Sequence, residues 1–171
     1  MRTRRLGLAL ALLLPVRLAA AAEAPPGTVT SSGWSPAVYL DAYFLKGSEG
    51  YLVPTLFLDR GALHLEGRYN YEDLDTGSLF VGWAFPFGEE GRSLRLTPML
   101  GGVAGLTNGV APGLEVEARW GRLSYWLEAE YLFDLEDSSA SYLYTWSELN
   151  VLALPWLWAG VSVQRIRVVQ S

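Results

Sequence analysis

Polar and apolar side chains alternate along most of this chain, most plainly over residues 62–72. There His64, Glu66, Arg68, Asn70 and Glu72 are separated by Leu65, Gly67, Tyr69 and Tyr71. A period of two predicts a strand, because successive side chains on a strand point to opposite faces. The same alternation predicts nine strand-like runs, near 36–46, 51–59, 62–72, 78–87, 93–103, 110–120, 122–134, 141–152 and 156–167. In the first, Val38, Leu40, Ala42 and Phe44 oppose Tyr39, Asp41 and Tyr43. In the fourth, Leu79, Val81, Trp83, Phe85 and Phe87 oppose Ser78, Gly82 and Ala84. Glu115, Glu117 and Arg119 oppose Leu114, Val116, Ala118 and Trp120 in the sixth. In the seventh, Ser124, Glu128, Glu130 and Asp134 oppose Leu123, Tyr125, Leu127, Ala129, Tyr131 and Phe133. The last two runs are less clean, with polar groups on both faces around Gln164 and Arg165. No helical period of useful length follows residue 25, so the chain reads as all-β.

An ionic face backed by an apolar one suits either the half-buried strand of a soluble sheet or the wall of a membrane barrel. Strand length separates the two. The runs reach about 9 to 13 residues, as a tilted membrane strand requires, against about 5 to 6 for an ordinary strand. Tyr69, Tyr71, Phe85, Phe87, Trp120, Tyr131 and Phe133 sit near the ends of apolar faces, where the aromatic girdles of a membrane wall would lie. Tight connections at Arg60-Gly61, Gly121 and Leu154-Pro155 alternate with longer ones at Asp73–Gly77, Gly105–Gly109 and Leu135–Ala140. Short turns at one end and longer loops at the other characterise outer-membrane barrels. The fourth connection, Gly88 to Arg92, fits that scheme imperfectly.

Residues 1–22 read as a signal peptide: Arg2, Arg4 and Arg5, then an apolar core from Leu6 to Pro15, then Ala20, Ala21 and Ala22 before the cut. Residues 23–35 form a linker and 36–171 one barrel domain. Losing Arg2, Arg4, Arg5 and Arg17 with the leader leaves 9 of the 13 basic residues against 18 acidic ones, a net charge of −9. That disfavours nucleic acid as a partner. The absence of cysteine excludes disulfides, thiolate chemistry and a lipoprotein anchor.

Signal peptide, alternating strands and aromatic ends together resemble the Gram-negative outer-membrane β-barrel proteins. Segments such as 64–72 and Tyr144-Thr145-Trp146-Ser147-Glu148 look like motifs of an uncharacterised barrel family. The resemblance implies an antiparallel up-and-down transmembrane barrel in the outer membrane. Its partners would be outer-membrane lipid, lipopolysaccharide and the barrel-assembly machinery. It carries no activity over. One departure is that such proteins usually end on a strand with a terminal aromatic, whereas this chain ends Val168-Val169-Gln170-Ser171. Bacterial single-chain barrels have even strand numbers, so nine runs predict a fragment of a ten- or twelve-stranded barrel. An eight-stranded barrel follows if one run is not a strand.

The inward polar set is Asp41, His64, Glu66, Arg68, Asn70, Glu72, Arg95, Glu115, Glu117, Arg119, Glu128, Glu130 and Asp134. In an open lumen its carboxylate excess would favour cations, predicting a passive, mildly cation-preferring, porin-like pore for small solutes. In an eight-stranded barrel the interior holds only side chains, and the same groups form a buried ionic network in a closed envelope scaffold. A lipid-modifying enzyme and a soluble periplasmic lipid-binding barrel are further alternatives. His64 and Glu66 are the one candidate base–acid pair, and neither Ser48 nor Ser78 lies in a nucleophile motif, so no catalytic residue is assigned. A lone histidine argues against a transition-metal site, and no cofactor is expected. Asp73, Asp75, Asp134, Glu136 and Asp137 lack the spacing of a dedicated calcium loop and read as solvated acids.

Overall fold

A computed structural model describes residues 33–43, 50–89 and 91–168; the predicted signal peptide and most of the linker lie outside these. The alternating runs form ten strands: β1 (Ser35–Tyr43), β2 (Tyr51–Arg60), β3 (Leu63–Tyr69), β4 (Thr76–Trp83), β5 (Phe85–Glu89), β6 (Arg92–Gly105), β7 (Gly109–Trp120), β8 (Leu123–Asp134), β9 (Tyr142–Leu154) and β10 (Leu157–Val168). β4 and β5 both pair with β6 and together make one strand of the wall, interrupted at Ala84. The nine predicted runs are thus nine positions in the wall.

All pairings are antiparallel, and each strand lies beside its neighbour in sequence. The result is one up-and-down sheet curled into a half-barrel. Among the described residues its outer strands, β1 and β10, share no backbone pairing, and Gln164 Nε2 donates to the Tyr43 hydroxyl at 3.4 Å.

Turn chemistry sets the two ends. Gly61, Gly91 and Gly121 have φ of +59°, +83° and +56°, the left-handed geometry that two-residue hairpins demand. β5 runs to Glu89 and β6 resumes at Arg92, so the fourth connection is also a tight turn. The opposite end carries the segments 70–75, 106–108 and 135–141.

The pleat sorts the side chains as the alternation predicts. Leu79, Val81, Trp83, Phe85 and Phe87 all point outward, and Leu79 is 75 % exposed. Leu100, Trp120 and Phe133 continue this apolar exterior. Trp120 stands near the turn end, and Tyr69 and Phe133 near the loop end. Soluble monomers rarely expose contiguous apolar surface on this scale. Inside, Phe80, Met99, Val103, Ala111 and Leu132 form a small apolar cluster with Tyr142 against it. Val53, Ala84 and Trp146 are buried as well, and the other buried side chains among the described residues are polar or charged.

Candidate functional site

β3 places His64, Glu66 and Arg68 in a row on the concave face, all three buried. Arg68 is the hub. Its Nε donates to Glu66 Oε1 at 2.7 Å and its Nη2 to Glu66 Oε2 at 2.8 Å, a bidentate fork on one strand. Nη1 reaches across the interior to β8, donating to Glu130 Oε2 at 2.9 Å. The same nitrogen lies 2.8 Å from Glu128 Oε1 and 3.5 Å from Glu72 Oε1, ion pairs out of line for hydrogen bonding. The guanidinium sits between two rings, 4.3 Å from the centroid of Tyr71 and 4.2 Å from that of Phe80. Its side chain has no exposed surface. Arg68 therefore bridges β3 and β8 and occupies the interior between them.

Aromatic groups seal this hub toward the loop end. Tyr71 donates to Glu128 Oε2 at 3.0 Å and packs against Tyr144 and Trp146. Ser78 donates to Glu72 Oε1 at 2.6 Å, and the Tyr142 hydroxyl donates to the Glu72 carbonyl at 2.9 Å. Trp126 meets Trp146 edge to face.

A second cluster lies toward the turn end. His64 Nδ1 is 2.8 Å from Asp59 Oδ1, its directly opposed neighbour on β2. His64 Nε2 points at Glu66 Oε2 (3.8 Å) and at Glu115 Oε2 on β7 (3.7 Å), too far from either for a hydrogen bond. Arg95 closes the turn end, donating to Asp59 at 3.1 Å and to Glu117 at 3.2 Å. These three side chains are 21–30 % exposed, so this end of the interior is wetter than the Arg68 hub. Arg119 faces the Trp158 ring from 6.0 Å.

Of the predicted inward set, the two clusters gather His64, Glu66, Arg68, Glu72, Arg95, Glu115, Glu117, Glu128 and Glu130. Asp41 lies on the inward side of β1, opposite Val53. Three expectations are corrected. β3 ends at Tyr69, and Asn70 turns into left-handed backbone with φ of +59°. The period of two is lost there, so Tyr71 turns inward over Arg68 instead of joining an interface girdle. Asn70 itself caps the turn, donating to the Leu52 carbonyl and accepting from the Asp75 N–H. Asp134 likewise accepts from the Glu136 and Asp137 backbone N–H groups and organises the 135–141 loop instead of the interior. In that loop the Ser139 hydroxyl and N–H both donate to Asp137 and hold its carboxyl below the ordinary range.

Asp59, Tyr144, Trp146 and Trp126 also belong to the interior, a place the alternation did not assign to them. Asp59 stands at a strand end, beyond a mostly apolar run. Tyr144 and Trp146 alternate with Leu143, Thr145 and Ser147, a signal that was legible but weakly polar. Ser78, beside the hub, is committed to Glu72, and Ser48 lies outside the described residues. No known protein family, curated protein or solved structure matches this chain.

Proposed function

We propose that this chain is a small outer-membrane β-barrel with a closed interior, acting as a structural element of the envelope. The observation that carries the reading is Arg68, fully withdrawn from solvent and joined to carboxylates of β3, β8 and the 70–75 segment. An ionic plug of this kind would obstruct a water path between β3 and β8 at its level. The apolar exterior, long strands and aromatic residues at both rims support placement in a membrane. The predicted signal peptide supports export. The likeness to uncharacterised outer-membrane barrels is architectural and adds no activity.

The cation-preferring pore has one observation in its favour, the interior excess of carboxylates over arginines. Planar-bilayer recording with purified full-length protein decides between the two. The closed scaffold gives no steps above the bare bilayer. Stable, salt-dependent steps that change size in an Arg68→Met variant would establish the pore. Boiled and unboiled samples of native outer membranes test placement: faster migration unboiled is expected, and recovery in a soluble fraction would overturn it.

A further inference from the structure

We propose that His64, Glu66 and Glu115 bind a divalent first-row transition-metal ion inside the barrel, with Asp59 orienting the imidazole. One donor atom from each of the three lies within 4.8 Å of the other two, and all three residues are buried. Ligands held about 2.0–2.1 Å from a tetrahedral metal are separated by about 3.3 Å. The His64–Glu66 and His64–Glu115 separations of 3.8 and 3.7 Å need only small rotamer shifts to reach that spacing.

The second, independent observation is His64 Nε2 itself. The residue is only 3 % exposed, and this nitrogen has no hydrogen-bond partner although it points at two carboxylates. With Nδ1–H donated to Asp59, Nε2 carries a lone pair facing negative charge, which is repulsive. If both nitrogens are protonated, the imidazolium faces three carboxylates, yet its Nε2 N–H lies too far from Glu66 or Glu115 for a hydrogen bond. A metal ion at the centre of the three would take the place of that proton and meet all three donors. Carboxylate–histidine–metal triads fix tautomer and ring in this way, and Asp59 occupies the carboxylate position.

The charge around the site points the same way. Glu115 is directly opposed to Glu128 across β7 and β8, a like-charge pair in a buried environment. Arg68 engages Glu128, Glu130, Glu72 and Glu66, and Arg95 engages Asp59 and Glu117, so neither arginine is committed to Glu115. One imidazole and two carboxylates suit Zn²⁺, Mn²⁺ or Fe²⁺, whereas Ca²⁺ takes six to eight oxygens. Three protein ligands leave a position for water. The partly exposed ring of Asp59, Arg95 and Glu117 provides an entry from the turn end. The site stands whether or not the scaffold reading holds, because metal content and conductance are separate measurements.

The test is equilibrium dialysis of full-length, chelator-stripped protein, folded in detergent, against Zn²⁺. One tightly held equivalent per chain is expected. Glu115→Gln and His64→Ala should each weaken it at least about 10-fold, and Asp59→Asn about 10- to 100-fold. Asp137→Asn, in the 135–141 loop, should leave it unchanged. Far-UV circular dichroism and unboiled migration verify folding, and the near-isosteric Glu115→Gln decides the matter if His64→Ala does not fold. Binding below one equivalent, or an unaltered equivalent in folded Glu115→Gln, overturns the proposal.

Discussion

Arg68 and Glu130 are 62 residues apart in the chain and 2.9 Å apart across the interior. That bond joins β3 to β8, strands that share no backbone pairing, so the two walls are tied through one guanidinium. Removing it would leave Glu66, Glu72, Glu128 and Glu130 together without their cation. Breaking a buried ion pair by deleting one partner costs about 3–5 kcal/mol. Arg68→Met is therefore expected to destabilise the fold by at least that much, read as a lowered denaturant midpoint in detergent. Arg68→Lys should restore only part of the loss, because a lysine cannot reproduce the planar fork on Glu66.

Beneath Arg68 the wall depends on a missing side chain. Phe80 is directly opposed to Gly101 on β6, and a Cβ on that glycine would strike the Phe80 ring. Phe80 in turn supports the guanidinium from below. Overpacking of this kind costs about 1–3 kcal/mol. Gly101→Ala is expected to lower the unfolding midpoint accordingly, and Phe80→Leu in the same chain should recover part of it. Additive losses in the double variant would show that the two sites are independent.

Much of this arrangement was readable from alternation alone. β8 places Glu128 and Glu130 inward and Tyr125, Leu127 and Phe133 outward as its period of two requires. Tyr71 was misplaced because a single left-handed residue, Asn70, resets the phase, and that geometry leaves no periodic trace. The proposed ligand set was hidden for another reason. His64 and Glu66 are two residues apart, but Glu115 is on β7 and reaches them only when the sheet curls. A count of histidines does not reveal the proposed site, because its other two candidate ligands are carboxylates.

Tyr71 offers a milder probe of the same interior. Its hydroxyl donates to the buried Glu128, and a hydrogen bond to a charged group contributes about 1.5–3 kcal/mol. Tyr71→Phe keeps the ring over Arg68 and removes the hydroxyl, which bonds Glu128 and also meets the Tyr144 hydroxyl. A loss within this range is expected by denaturant titration. No loss would place Tyr71 at a solvated rim and reopen its assignment to a membrane interface.

The exterior provides the sharpest test of the surroundings this fold was built for. Val81 lies on the outer face of β4, 52 % exposed, flanked by Leu65 on β3 and Leu100 on β6. In water an arginine there would meet solvent, and surface substitutions of that kind change stability by no more than about 0.5 kcal/mol. In a bilayer, an arginine on the lipid face near the midplane costs about 2–4 kcal/mol. Val81→Arg is expected to show the larger penalty when unfolding is measured in lipid vesicles. Trp120→Arg, near the turn end, should cost less, about 0–1 kcal/mol for the added charge, because the interface tolerates it. Equal and negligible effects at both positions would assign the apolar exterior to a protein interface in water instead.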